Sequence, residues 1–157
     1  MVTHEGRTVH FYDDLLKGKI VLINAFYIEC DTICPMTTQN LTQVQDLLGS
    51  RLGQDIFMYS ITLQPQHDTP EALQAYAKVH GVKPGRLLLT GAPADIELLR
   101  RRLGFVDSDP AQDSDLKQHI GILRIGNEPV HQWIAKPALL NPEAIVRAVK
   151  RTIPEYS

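Results

Sequence analysis

Runs of continuous apolar residues alternate along the chain with segments whose apolar positions repeat every three to four residues. Residues 20–27 form the first such run and are rich in β-branched and aromatic side chains. This pattern is typical of a central strand that is covered on both faces. Residues 36–48 follow with apolar side chains at helical spacing, and Pro35 suits the first turn of that helix. A buried strand followed by an amphipathic helix is therefore predicted.

The same two patterns continue through the rest of the sequence. Further strands are predicted at residues 56–63, 86–90, 119–125 and 130–135, and further helices from Asp68 to Gly81, at residues 94–103 and from Asn141 to Ile153. Asp68 is the predicted N-terminal cap of the second helix, with Glu71 three residues later as in a capping box. Residues 126–129 have turn chemistry, so the last two strands are expected to form a hairpin.

The predicted order of elements is β-α-β-α-β-α-β-β-α. Alternating strands and helices favour an α/β domain with a mainly parallel central sheet and helices on both faces. The closing hairpin adds an antiparallel edge, and this combination is typical of a thioredoxin-like layout. A flavodoxin-like sheet is the alternative, although it would not contain the hairpin.

Composition and charge limit the classes to which this protein can belong. The 157 residues, 43% of them hydrophobic and 22% charged, fit a single globular domain over residues 1–157. A formal net charge of −2 argues against nucleic acid as a partner. The longest apolar run, residues 20–28, is too short to cross a bilayer, and no signal peptide is recognisable. Either the protein is cytosolic, or an N-terminal leader or anchor is absent from this sequence.

Candidate chemistry is concentrated at Cys30 and Cys34, the two cysteines of the chain. They lie between the first strand and its helix, at the end of the sheet where open α/β folds form their sites. The helix N-terminus favours the thiolate, which binds metal ions and attacks disulfides. The spacing allows a disulfide if Cys30 lies outside the helix, and it also allows both thiolates to hold one soft ion such as Cu(I). A structural pair of buried thiols is the alternative.

A third ligand for such an ion is expected among the histidines. The chain has six: His4, His10, His67, His80, His119 and His131. The first two lie near the N-terminus and are expected to be exposed, and the positions of His80 and His131 have structural explanations. His119 opens the fourth of the main strands directly after a long loop, where it is expected to lie beside the cysteines. His67, which follows the second of these strands, is the alternative.

Several motifs occur in one order between about residues 11 and 133. They are the segment 11–24, Cys30-x-x-x-Cys34-Pro35, Ser60-Ile61-Thr62, Asp68-Thr69-Pro70, Leu89-Thr90-Gly91 and His119. Taken together, these residues resemble the Sco/SenC family of copper-handling thioredoxin-like proteins.

This resemblance implies a thioredoxin-like fold and one copper site formed by Cys30, Cys34 and His119, for Cu(I) or Cu(II). It also implies a role in assembling the copper A centre of cytochrome c oxidase. Members of the family usually face the periplasm or the mitochondrial intermembrane space from a membrane anchor. A periplasmic location is therefore expected, with an anchor that is absent from this sequence.

The surroundings of the implied site depart from the pattern of the family. Gln118 stands where family members often have Asp before the histidine, and Gln64 replaces the Asp after the second main strand. Ile28 and Glu29 replace the usual Thr and His before the first cysteine. Because an acidic neighbour can orient a ligating imidazole, its loss at position 118 is expected to weaken Cu(II) binding.

Two functions compete for these residues. In a metallochaperone, Cys30 and Cys34 hold Cu(I) as thiolates, His119 joins them for Cu(II), and copper passes by ligand exchange to an apo-acceptor. The expected partners are the copper-bearing subunit of cytochrome oxidase or another copper chaperone. In a thiol–disulfide oxidoreductase, the same redox-active pair keeps the cysteines of an acceptor reduced. The spacing is wider than the Cys-x-x-Cys of thioredoxins, which argues against a general reductase and makes an enzyme the second choice.

Three further expectations concern the neighbourhood of the cysteines. A thiol peroxidase is disfavoured, because Ile23 and Tyr27 occupy the positions where that class has Pro and Thr or Ser. The oxidised chain is expected to form a Cys30–Cys34 disulfide. Residues 106–118, which are polar and lack periodicity, are expected to be a mobile loop that borders the site.

Overall fold

Six strands within the described part of the chain form one sheet in the order β1-β4-β3-β2-β5-β6. The computed structural model describes residues 1–29 and 33–153, apart from the side chains of Ile33, Cys34 and Lys117. The strands are β1 Val2–Thr3, β2 Ile20–Phe26, β3 Ile56–Thr62, β4 Arg86–Thr90, β5 Ile122–Asn127 and β6 Gln132–Pro137. The central strands β2, β3 and β4 are parallel, whereas β1, β5 and β6 pair antiparallel toward the two edges. The predicted α/β sheet with its closing hairpin is confirmed.

The central strand β2 is buried along its whole length. Its side chains alternate between the two faces, so that Leu22 packs into one core cluster and Val21 into another. Asn24, its one polar residue, accepts a hydrogen bond from the hydroxyl of Ser60 on β3 at 2.6 Å. A continuous apolar run with one satisfied polar side chain therefore gives a strand that is covered on both faces.

Helices cover both faces of the sheet, as predicted. They are α1 Ile33–Leu48, α2 Pro70–Val79, α3 Pro93–Arg102, α4 Pro110–Asp113 and α5 Pro142–Arg151. The first and last of these pack together on one face, with Val44 of α1 and Val149 of α5 in the same core cluster as Leu22. On the opposite face, Ile96 of α3 packs in the cluster that contains Val21. The π-helical segment Phe11–Leu16 adds Leu15 and Leu16 to that cluster.

The start of α2 differs from the prediction by one residue. Thr69 is the N-terminal cap, because its hydroxyl accepts a hydrogen bond from the N–H of Ala72 at 3.2 Å. Asp68, the predicted cap, is 2% exposed and makes different hydrogen bonds. The cap predicted for the last helix is confirmed, since Asn141 accepts from the N–H of Glu143 at 2.9 Å.

The region before β5 is the largest departure from the predicted elements. The strand predicted at residues 119–125 instead begins at Ile122, and Leu116–His119 form a 3₁₀ turn. His119 and Ile120 are both buried although they are consecutive, so their apolar surroundings do not reflect strand alternation. The predicted loop at residues 106–118 also contains the short helix α4. β1 was not predicted because two residues are too short to show a period.

Strand β6 forms one outer edge of the sheet. Gln132, Ala135 and Pro137 along it are exposed, whereas Trp133 is partly buried and packs against the α3 face. Among the described residues, no helix is both long enough and apolar enough to cross a membrane.

Candidate metal centre

The cysteine loop connects the carboxyl end of β2 with the amino end of α1. β2 ends at Phe26 and α1 begins at Ile33, so Cys34 is the second residue of the helix. The backbone N–H groups in this first turn have no intrahelical acceptor, and together with the helix dipole they favour a thiolate. Cys30 and the side chain of Cys34 lie outside the described residues. The disulfide between them and their part in a metal site therefore stay predictions.

A buried carboxylate holds the start of this loop. Oδ2 of Asp68 accepts a hydrogen bond from the N–H of Ile28 at 3.1 Å and another from the hydroxyl of Thr62 at 2.5 Å. Asp68 thereby links the residues just before the cysteines to the end of β3 and the start of α2. The capping role predicted for Asp68 did not include this contact, because a pattern within one helix does not reveal a partner 40 residues away.

His119 lies at the end of the 3₁₀ turn before β5 and is 1% exposed. Its Nε2 lies 2.8 Å from the carbonyl oxygen of Asp113 and 3.2 Å from Nη1 of Arg100. The carbonyl oxygen is only an acceptor, so the shorter contact assigns the ring proton to Nε2. In the neutral ring with this tautomer the lone pair is on Nδ1, which is then the nitrogen that can act as a metal ligand. Ligating histidines usually donate their other ring N–H to a carbonyl or carboxylate in this way.

Arg100 organises the surroundings of His119. The guanidinium is 8% exposed and forms two-pronged ion pairs with Glu97 and Asp113, whose shortest N–O distances are 2.7 and 2.8 Å. Nη1 also donates to the carbonyl oxygen of Phe105 at 2.7 Å. Arg100 therefore connects α3 to both ends of the segment between Phe105 and His119. These residues are an unexpected part of the site, since arginine and carboxylates on an amphipathic helix usually form a solvated face.

The charged side chains of Arg100, Asp113 and Glu97 stabilise one another. Hydrogen bonds from Arg100 and from the N–H of Asp107 hold the pKa of Asp113 well below its ordinary value. Hydrogen bonds to Asp113 and Glu97 in turn raise the pKa of Arg100. The pair is therefore ionised at neutral pH, and the planar guanidinium fixes its geometry in a way that a lysine would not.

Apolar packing brings the His119 segment next to the strand that leads to the cysteines. Ile120 is fully buried in one cluster with Phe26 and Tyr27, and Leu116 and Ile28 pack against the same cluster. Residues on both sides of His119 therefore contact the cluster that includes the residues just after β2. The His119 segment therefore lies beside the residues just after β2, and its proximity to the two cysteines stays a prediction.

The other histidines have different environments. His67, the alternative ligand, is exposed in the loop after β3. His4 was expected to be exposed, which is wrong, since it is partly buried and its Nδ1 accepts a hydrogen bond from the N–H of Leu88 at 3.2 Å. The ring of His80 packs against Tyr76 with a centroid distance of 4.2 Å. His10 and His131 are exposed.

Within residues 1–29 and 33–153, no group of three or more His, Cys, Asp or Glu side chains is placed to hold a metal ion. The carboxylate of Asp113 lies 3.7 Å from Nε2 of His119, but it is already paired with Arg100 and Arg101. His119 is thus a candidate ligand whose predicted partners are the two cysteines of the neighbouring loop.

Comparison with known proteins assigns the chain to a family. The family model described as SCO1/SenC matches residues 1–153. The chain belongs to the SCO1/SenC family. An SCO2-like protein from Rickettsia conorii is 37% identical over 68 residues, which cover 43% of this SCO1/SenC chain and 33% of the relative. The sco1 protein of Schizosaccharomyces pombe is 26% identical over 124 residues, covering 76% and 46%. The chain spans 33–51% of the length of the first curated relatives that it matches.

Solved structures of SCO1/SenC proteins share the fold. A family lipoprotein from Bacillus anthracis superposes with a TM-score of 0.75 at 24% identity, over 96% of this chain and 89% of that one. Bradyrhizobium japonicum ScoI with copper bound gives 0.72 at 22% identity, over 96% and 94%. BsSco, described as a member of the Sco family of cytochrome c oxidase assembly proteins with a disulfide switch, gives 0.73 at 22% identity, over 95% and 87%. The predicted thioredoxin-like fold is confirmed.

Proposed function

We propose that this SCO1/SenC protein is a copper chaperone that binds its cargo through Cys30, Cys34 and His119. The observation that carries the proposal is the state of His119, which is buried, has its Nε2 proton assigned to the carbonyl of Asp113, and lies on a segment packed against the end of β2. Membership of a family with a copper-bound structure supports the choice of metal.

The donor set suits both oxidation states of copper. Two thiolates satisfy Cu(I), which prefers soft ligands, whereas Cu(II) gains from an added imidazole. Three protein ligands leave the cargo less enclosed than a four-ligand cage, so an acceptor can replace them one at a time. The carbonyl of Asp113 orients the imidazole, and Arg100 fixes Asp113 through its carboxylate. Gln118 is exposed, so Asp113 rather than the residue before His119 supports the ring.

The acceptor we propose is the copper A site of cytochrome c oxidase. A structural relative is described as a cytochrome c oxidase assembly protein, which supports this acceptor class. A second relative of the same fold is a lipoprotein, which supports a position outside the cytoplasm and at a membrane. In a Gram-negative organism that position is the periplasm.

The test is copper binding by the reduced protein and three variants. His119→Ala is expected to lose most Cu(II) affinity, read from thiolate-to-copper charge-transfer absorption, and to keep most Cu(I) affinity in competition with a chromophoric chelator. Cys30→Ser and Cys34→Ser are expected to lose both. His67→Ala, which removes an exposed imidazole from a nearby loop, is the matched control and is expected to bind as the parent does. Unchanged Cu(II) binding by His119→Ala would contradict the three-ligand site.

Thiol–disulfide exchange is the second candidate, and the disulfide switch described for BsSco favours it. In this reaction the Cys30 and Cys34 thiols give two electrons and two protons to an acceptor disulfide, forming their own disulfide as the acceptor becomes a dithiol. The reaction does not require an imidazole ligand. Full reduction of an acceptor disulfide by His119→Ala, together with failure of the parent to transfer copper to that acceptor, would favour the reductase over the chaperone.

A further inference from the structure

A groove of about 680 Å³ opens on the α3 face of the sheet, between α3, the segment around Phe11 and the β5–β6 hairpin. Its apolar lining includes Phe11, Leu98, Leu99 and Trp133. This volume and this lining are typical of sites for small amphipathic ligands.

The groove is separate from the candidate metal centre. Strand register places Arg124 beside Ile23 and Gly126 beside Val21, so the groove lies along the first half of β2. The cysteines follow the opposite, carboxyl end of that strand. Ligand binding in the groove is therefore independent of copper binding at the candidate metal centre.

Trp133 forms a fixed aromatic surface in the groove. Its indole lies directly over Gly126, where a Cβ atom would come within 2.6 Å of three ring atoms. The indole N–H donates to a carboxylate oxygen of Glu128 at 2.9 Å, which fixes the orientation of the ring. Glycine at position 126 is required for this close approach, and the apolar face of the ring is already in place before any ligand binds.

Arg124 adds a cation beside this aromatic surface, and no described carboxylate forms an ion pair with it. It lies two residues before Gly126 on the same face of β5, and its buried Nε has no hydrogen-bond partner. Arg124 as a whole is half-buried, and a buried N–H group such as its Nε normally has an acceptor, because an unsatisfied donor is destabilising. Arg102 of α3 also borders the groove, and the one acidic lining residue, Asp95, is exposed at the start of α3.

We propose that this groove binds a medium-chain carboxylate. The carboxylate pairs with the guanidinium of Arg124, and the alkyl chain lies across Trp133 against Leu98 and Leu99. The pairing is charge-assisted and supplies the acceptor that the buried Nε lacks. The alkyl chain supplies the apolar burial that a free inorganic anion would not.

Trp133 is the one tryptophan of the chain, so its fluorescence reports directly on the groove. Octanoate is expected to change this emission in a saturable way. The affinity for 1-octanol, which has the same chain without the charge, is expected to be at least about 10-fold lower. Arg124→Gln is expected to lose about 10-fold in octanoate affinity and to bind 1-octanol as the parent does. Arg147→Gln, an exposed arginine on α5 across the sheet, is the matched control and leaves both affinities unchanged.

A second variant changes a lining residue of the groove that lies on α3 rather than in the sheet. Leu98→Glu changes a side chain that is 51% exposed, so the fold is retained, and it places a negative charge at the ligand. It is expected to weaken octanoate binding, while Leu47→Glu, a comparably exposed leucine on α1, leaves it unchanged. Absence of a saturable response in the parent would overturn the proposal. So would octanoate affinity that neither Arg124→Gln nor Leu98→Glu reduces. None of these results bears on copper binding.

Discussion

Asp68 shows how one buried side chain can hold the start of the cysteine loop. Its carboxylate accepts from the N–H of Ile28 and the hydroxyl of Thr62, and it is 2% exposed. Both donors lose their hydrogen bonds to water when they bond to Asp68. Removing the shared acceptor therefore leaves two polar groups unsatisfied, which is more destabilising than loss of a bond at the surface.

Asp68→Ala is expected to lower the free energy of unfolding by about 1–3 kcal/mol. Asp68→Asn, which keeps an acceptor oxygen, is expected to have a smaller effect. Thr69→Ala is the neighbouring control, because it removes an exposed helix cap worth about 1 kcal/mol. Urea denaturation of the three variants measures the differences. An Asp68→Ala variant as stable as the parent would show that the loop does not depend on this carboxylate.

At the same scale, the sequence indicated the ligand types of the site but not their support. Cysteine spacing and the position of His119 after a loop were enough to predict the candidate ligands. Arg100 and Asp113 were missed because they lie 19 and 6 residues from His119 and carry no motif of their own. Long-range ion pairs depend on tertiary geometry, which a local pattern does not record.

At the scale of elements, the network around Arg100 joins α3 to the segment that leads into β5. Two groups accept hydrogen bonds from Arg100 and hold this segment to the helix: the carbonyl of Phe105 and the carboxylate of Asp113. The backbone carbonyl of Asp113 in turn contacts Nε2 of His119. Between them, residues 106–112 include exposed Asp and Ser side chains around the start of α4. Mobility predicted for residues 106–118 is therefore expected to be greatest at 106–112 and smallest near His119.

Arg100→Lys is expected to release the end of this segment, because lysine keeps the charge but not the planar fork. Amide hydrogen exchange should accelerate from Asp113 to His119, while β2 stays protected. Cu(II) affinity is expected to fall by about 10-fold or more, as for other losses of support to a ligating histidine. Arg102→Lys, on the same helix and exposed, is the control for both measurements. Unchanged exchange and affinity in Arg100→Lys would rule out the positioning role.

Elements in which a hydrophobic pattern continues over many residues were predictable, whereas elements defined by tertiary contacts were not. β2 and the helix after it follow from an apolar run and a helical repeat, and both lie close to their predicted bounds. The strand containing Ile122 was predicted three residues too early, because His119 and Ile120 are buried for reasons unrelated to strand pairing.

At the scale of the whole molecule, two partly buried histidines make stability depend on pH. Burial lowers the pKa of His4 and His80 from the ordinary value of 6.5, and the positive charge of Arg86 lowers both further. The unfolded chain therefore binds more protons than the folded chain as the pH falls through 6.5. Acidification through this window favours unfolding, and raising the pH restores stability.

The free energy of unfolding is accordingly expected to be lower at pH 5.5 than at pH 7.5. His4→Gln removes one of the two titrating rings and is expected to reduce this difference. His10→Gln, an exposed substitution six residues later, is expected to leave it unchanged. Urea denaturation of all three proteins at both pH values measures it. Equal pH dependence in the parent and His4→Gln would contradict the contribution of His4.

The outer strand β6 also affects how one copy of the protein meets another. An edge strand offers unpaired N–H and C=O groups, and a long flat one invites pairing with a second chain. Here Gln132 and Pro137 are exposed at the two ends of the strand. Proline has no N–H to donate, and Lys136 brings a charge next to it. These residues disfavour pairing of β6 with a strand of a second molecule, so they are expected to reduce aggregation at high concentration.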